Sequence, residues 1–318
     1  MSTSPSLCNL PNELATNIFN RVGFKSIQTL RKVCRELRNR IDDIKPDTML
    51  SRVSVDIYDA EITINYHTIE VEDSGSIWFG VEYCKCGESD QTIVKYITSK
   101  KVVNGEFVEP ASRDLPLILK FQKQSIKEIS FANGTESSNN FPQFLENLKR
   151  SLAFENRLLN AENVEIETND QKSLITSLSL IDSQSINSIE FLNLNGNQQP
   201  IDIAEIMEME QWKNAKHFVS NFVITGVSAH NYRHFSEFSV HFESISAEYL
   251  LDLKEILQNS SELNLFHIRY ETFEDREQFL EKMGPPETAD GTLEWYFRMS
   301  TTDDYMYMAH SIRGRAQS

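Results

Sequence analysis

Residues Leu10 to Lys45 read LPNELATNIFNRVGFKSIQTLRKVCRELRNRIDDIK, and this stretch decides how the rest of the chain is read. Pro11 suits a first helical position, where its missing N–H costs nothing, with Asn9 or Leu10 as the cap region. Leu14, Ile18 and Val22 follow at steps of four with Phe19 beside them, which predicts one amphipathic helix. Gly23 supplies the backbone freedom of a helix end. Ser26 is then the expected cap of a second helix, whose stripe runs Ile27, Leu30, Val33, Cys34, Leu37, Ile41 and Ile44. Pro46 should end that helix at Lys45. Arg31, Arg35 and Arg38 occupy a neighbouring face. A segment of below ~40 residues seldom folds unaided. It is therefore either a cap packed on its own chain or a docking module completed by a partner, and periodicity does not choose between them.

Working outward, the 318-residue chain has room for this module and one or two ordinary domains. Its net charge is −16, unevenly placed: residues 1–45 carry eight Lys/Arg against four acids, a net +4 that leaves −20 on the remainder. An acidic body repels phosphate backbones, so nucleic acid is not an expected partner. The polar start, Met1 to Ser6, does not read as a signal peptide, and no apolar run approaches a membrane span. Four cysteines, Cys8, Cys34, Cys84 and Cys86, suit a reducing compartment. The expectation is a soluble protein of the cytoplasm, the nucleus or both, without a membrane partner.

Residues 51–108 read as strands. Val53/Val55/Ile57, Ile62/Ile64 and Ile69/Val71 alternate with polar positions, and Asp73-Ser74-Gly75 is a turn signal before Ile77 to Val81. Thr92 to Thr98 is a further strand, and Asn104-Gly105 signals a hairpin between Val102-Val103 and Phe107-Val108. A helix is expected over about 111–124 despite Pro116, then a strand from Ile126 to Phe131 and a polar loop over 137–140. From Phe141 helices and strands alternate. Strands are predicted at 164–167, 189–192, 218–224, 238–242 and 266–270, and helices at 142–159, 171–180, 203–212, 247–257 and 273–283. Pro285-Pro286 stops the last helix. Strand spacing lies in the range of leucine-rich-repeat units, although no strict consensus survives. Such alternation predicts a largely parallel curved sheet with helices behind it; a closed α/β domain is the competing fold.

Leu10-Pro11-x-Glu13 and Ile18, followed by Leu30-x-x-Val33-Cys34-Arg35-x-Leu37-Arg38, resemble an F-box, with Leu37 where many F-boxes carry Trp. The resemblance implies a three-helix module that binds the Skp adaptor of cullin–RING ubiquitin ligases. It also implies that Leu10, Pro11, Leu14, Ile18, Leu30, Val33, Cys34 and Leu37 are shared between the module's core and the adaptor contact. The stretch Phe144 to Lys149, the block Leu158 to Glu167, and above all Met209 to Lys216 (MEQWKNAK) look like the FTH domain that follows F-boxes in nematodes. Gly284-Pro285-Pro286 and Trp295 to Arg298 extend that likeness. The implied fold class is α/β: a small helical F-box at 7–46, a β-rich segment at 50–133, an FTH-like, leucine-rich-repeat-like helix–strand sheet at 141–298, and a disordered tail at 301–318.

What that body would hold follows from the period of a strand. If Val164/Ile166, Ile189/Phe191, Phe238/Val240/Phe242 and Phe266/Ile268/Tyr270 face inward, the open face collects Glu165, Glu167, Glu190, Leu192, Ser239, His241, His267 and Arg269. These are the candidate contacts to a protein target. No catalytic constellation accompanies them: there is no P-loop, GxGxxG or GxSxG, and Asn231 follows His230 where a zinc protease needs Glu. His230 and His234 would share a helix face without that function. Cys84-Lys85-Cys86 lacks a second ligand pair at a familiar spacing and reads as strand packing, with both thiols on one face. No cofactor or metal is expected. Trp212 and Trp295 read as core. The chain is thus expected to be a non-enzymatic receptor subunit that docks to the Skp adaptor and, through it, to a cullin–RING ligase while recruiting a protein substrate. The rival is a repeat-type scaffold acting without a ligase.

Overall fold

In the computed structural model of the chain, the described residues are 7–68, 78–87, 89–96, 98–135, 139–193, 199–260, 262, 265–289, 292–299 and 305–311. They form two compact units, residues 1–186 and 187–318. The strand expected at Ile69/Val71, the turn at Asp73-Ser74-Gly75, Ile77, and part of the loop over 137–140 lie outside the described residues.

The first unit opens with three helices, α1 (Asn12–Arg21), α2 (Phe24–Val33) and α3 (Arg35–Ile44). The long second helix read from Ser26 onward is broken at Cys34, whose backbone is extended (φ −155°, ψ 163°) and whose Sγ accepts the Leu37 N–H at 3.4 Å. Cys34 therefore caps α3 instead of continuing α2. Gly23 caps the start of α2, its carbonyl accepting from Ser26 and Ile27, so Ser26 lies inside the helix. Lys45 closes α3 in the left-handed region (φ 50°), immediately before Pro46. Ala15, Phe19, Ile27, Leu37 and Ile41 make the shared core, with Cys8, Leu10, Val22, Leu30 and Ile44 packed against it. Arg40 ties the start of the chain to α3 by donating to the Cys8 and Leu10 carbonyls.

The rest of this unit is built on β1 (Leu50–Ile57). The hairpin strands β2 (Glu61–Thr68), β3 (Trp78–Lys85), β4 (Gln91–Tyr96) and β5 (Ser99–Asn104) extend antiparallel from one side of it. On its other side β6 (Ile126–Asn133) and then β7 (Ala161–Glu167) pair in parallel. Three helices complete the unit: α4 (Val108–Leu119), α5 (Asn140–Phe154) and α6 (Gln171–Ser179). The hairpin expected at Asn104-Gly105 does not form. Gly105, at φ 100°, turns the chain off β5, and Phe107 and Val108 start α4 with both side chains buried. Their apolar surface is removed from water by the helix, which outweighs the turn signal.

The second unit contains β8 (Ser188–Leu192), β9 (Ile201–Asp202), α7 (Ala204–Met207), α8 (Glu210–Asn214), β10 (His217–Thr225), β11 (Glu237–Ser246), α9 (Ala247–Gln258), β12 (Leu265–Glu274), α10 (Arg276–Met283), β13 (Glu287–Ala289), β14 (Thr292–Arg298) and β15 (Tyr305–Ser311). Strands β8, β10, β11 and β12 pair in parallel in that order, and β9 adds a short parallel pair to β10. Trp212 sits in the middle of its core, its ring 4.6 Å from Phe218 and 5.0 Å from Phe235. The helix expected at 203–212 is split by Met209, which is extended (ψ 143°). The helix expected from Phe273 starts only at Arg276, because Phe273 and Glu274 still pair with β11. The tail expected to be disordered contains β15, which pairs antiparallel with β14 and buries Met308. Trp295 is buried and donates from Nε1 to the Gly284 carbonyl at 3.1 Å.

The whole is a mixed α/β chain with N-terminal helices and extensive parallel pairing. No helix among the described residues is long and apolar enough to cross a membrane.

Candidate functional site

The three-helix core divides the residues implied as adaptor contacts. Leu37 is 3% exposed and belongs to that core; Leu10 and Leu30 are half-buried against it. Pro11, Leu14, Ile18, Val33 and Cys34 face solvent, with Leu14 53%, Ile18 36% and Val33 67% exposed. Leu14 and Ile18 lie one turn apart on α1, and Val33 is the last residue of α2. Full burial of three such side chains against a partner is worth about 1.5–3 kcal/mol each before association costs. The neighbouring arginines are partly committed inside the chain. Arg31 pairs with Asp42 at 2.9 Å, and Arg38 Nε donates to the Arg31 carbonyl at 2.9 Å.

The candidate target contacts fall on both units. The predicted alternation is present: Val164, Ile166, Ile189, Phe191, Phe238, Val240 and Phe242 are buried, while Phe266, Ile268 and Tyr270 on β12 are half-buried. In the first unit Glu165 is in register with Ser130 and Ser54, and Glu167 with Ala132 and Asp56. Burial, and secondarily the Asp56 charge, raises the Glu167 pKa. Burial also raises that of Asp56, opposed by the hydrogen bond from Asn65. In the second unit a lateral row runs Glu190, Val219, Ser239, His267 across four parallel strands, with Ser239 Oγ 3.4 Å from His267 Nδ1. His241 and Arg269 pair in the next row. Burial and then the Arg269 charge push the His241 pKa down, against a smaller opposite pull from Glu271. Leu192 is half-buried at the end of β8. Within each unit these outward positions are mostly polar, with Leu192 and Val219 as apolar exceptions in the second.

The two tempting chemical motifs resolve differently from their sequence readings. His230 lies in a four-residue 3-10 turn, not on a helix face, and His234 Nε2 is 2.9 Å from the Trp212 carbonyl oxygen. Burial lowers the His234 pKa, so it is neutral at pH 7. Cys84 is buried in β3, whereas Cys86 lies beyond the strand's end, so alternation does not carry both thiols onto one face. The groups that do gather at Cys84 are Glu61 and Glu82, their ligand atoms all within 4.8 Å of one another. Glu82 is already paired with Lys95 at 2.9 Å.

Comparison with known proteins places names on these parts. Residues 7–48 match the F-box domain and residues 142–282 match the FTH domain. The chain thus carries an F-box domain and an FTH domain. A curated relative, "F-box A protein 224" of Caenorhabditis elegans, is 22% identical over 261 residues, which cover 80% of this chain and 64% of the relative.

Proposed function

We propose that this chain, with its F-box and FTH domains, is a substrate-recognition subunit of a Skp–cullin–F-box ubiquitin ligase. The F-box docks to the Skp adaptor, the α/β body holds a protein target, and other subunits transfer ubiquitin. The observation that carries the reading is the division inside residues 7–48. A complete small core leaves Leu14, Ile18 and Val33 outside it, while the module meets the rest of its unit through Phe24, stacked on Tyr66 and Phe79, so those three side chains stay open to a partner. On this reading the receptor has no catalytic role of its own. The successive parallel strands and intervening helices act as a leucine-rich-repeat-like surface, and the polar face of each unit is where target contacts are sought. We place the chain in the cytoplasm, the nucleus or both, in keeping with its sparse cysteines, four in 318 residues.

The test is reconstitution of the full chain with a Skp adaptor, a cullin and a RING subunit. One stoichiometric assembly that ubiquitylates proteins captured through the chain supports the receptor. A folded chain that never joins the assembly supports a scaffold acting without a ligase.

A further inference from the structure

A groove of about 300 Å³ lies within the first unit between α2, α4 and strands β3 and β4. Its floor is aromatic. Phe24 and Phe79 stack at 4.9 Å, Phe79 stacks on Tyr66 behind it at 4.9 Å, and Tyr83 and Tyr96 continue the lining. Leu117 and Ile118 of α4 form the facing wall, and Leu117 is largely open to solvent. Phe24 and Tyr83 are themselves buried, so the apolar surface open to a ligand is chiefly that of Phe79, Tyr96 and Leu117.

Charge narrows what could fill it. The carboxylate in the groove, Asp114, is already engaged: it accepts from Tyr83 Oη at 3.1 Å and from Arg113 Nε at 3.4 Å. Lys25 and Lys32 stand exposed on α2 among the lining residues. Lys32 and Lys101 place their Nζ atoms 5.2 and 5.7 Å from the Tyr96 ring centre. Among the described residues none of these three lysines pairs with a carboxylate. In a chain of net charge −16 this is a local reversal of sign. A cationic ligand would gain from the rings and from Asp114 but would meet the lysines at the mouth; an acidic one is steered inward.

A third observation lies beneath the floor. The Tyr66 side chain is fully buried, and its hydroxyl has no hydrogen-bond partner among the described residues. Burial raises its pKa, and the nearby charges of Asp114 and Tyr96 add to that. A buried unpaired hydroxyl is costly, and this one lies behind the aromatic floor and not in the groove's lining. The volume is at the lower limit of small-molecule sites, which suits one bulky side chain better than a drug-sized ligand.

We propose that this groove binds an acidic segment of a protein partner, seating one aromatic or aliphatic side chain on the Phe24–Phe79 floor with flanking carboxylates on Lys25 and Lys32. It deepens the receptor reading by naming a target chemistry, and rests on that reading only for the partner's role. The groove uses Phe24, Gln28, Arg31 and Lys32 of α2, while Ile27 faces the helical core and Val33 stays outside. The groove residues and Val33 are therefore distinct positions of one helix.

The probes are fluorescent five-residue peptides with Phe, Tyr, Trp or Leu at the centre and Glu/Asp on both sides, read by anisotropy on the full chain. Controls carry Ala at the centre, or Lys in place of every acid. The variants are Lys25→Glu with Lys32→Glu, and Leu117→Asp, all at exposed positions, with circular dichroism and melting as the fold check. At least one acidic peptide should bind, weaken with salt, and lose about tenfold or more in affinity with the Ala centre and with either variant. No binding by any acidic peptide overturns the proposal, as does binding unaffected by the variants or preferred by the lysine peptides. Because the assay contains no ligase, peptide binding without adaptor binding would remove the receptor reading and leave the groove.

Discussion

Asp56 and Glu167 stand on one lateral row of the first unit with Ala132 between them. Burial raises both carboxyl pKa values, and the Asp56 charge adds to the shift at Glu167. A carboxyl whose folded value lies above its unfolded value favours folding below about pH 4, and that contribution is lost as pH rises through the folded value. Asp56→Asn should therefore stabilise the chain at pH 7, by no more than about 1 kcal/mol because both groups are partly open to water. The gain should shrink toward pH 4, and urea unfolding at the two pH values checks it; an equal gain at both would refute the charge account. Two other residues separate folding from docking. Leu37→Ala removes a buried core side chain and should cost about 2–5 kcal/mol of three-helix stability. Val33→Ala, at an exposed helix end, should change stability by less than about 0.5 kcal/mol. Hydrogen exchange of α1–α3 reads both.

At the scale of elements, what was legible in the sequence followed from period. Strands such as β7, β8 and β11 announced their buried faces because every second residue is apolar, and packing then hides those positions. Breaks without glycine or proline were not legible. Cys34 splits α2 from α3 through its own backbone conformation and a sulfur cap, and Met209 splits α7 from α8, with no residue type that signals either. Asn104-Gly105 failed in the opposite direction, a strong local turn signal overruled by burial of Phe107 and Val108. The groove was invisible because its lining comes from α2, β3, β4 and α4, which are distant in sequence. At the C-terminal end, β15 covers β14 through a full antiparallel ladder. Truncation after Met299 should leave β14 paired only with β13 and loosen Trp295, raising protease cleavage within 284–299 while the helices of the first unit keep their exchange protection. Unchanged cleavage would show that β15 contributes nothing to that ladder's stability.

Across the whole molecule, a net +4 in residues 1–45 precedes a body of −20. Screening limits how far that asymmetry acts, to about 8 Å at physiological salt. On the proposed receptor reading, charge would guide approach to the adaptor, while apolar contact on the exposed Leu14, Ile18 and Val33 would supply the affinity. The proposed receptor role requires exposed docking residues, and the helical core closes without Leu14, Ile18 and Val33. The measurement that tests this most directly is calorimetric titration of the full chain with a purified Skp adaptor, repeated with the Ile18→Asp, Val33→Asp double variant. The account predicts a one-to-one complex for the native chain and at least about a hundredfold weaker binding for the variant, with melting of the body unchanged. A folded native chain that does not bind the adaptor, or a variant that binds it equally well, would contradict the account.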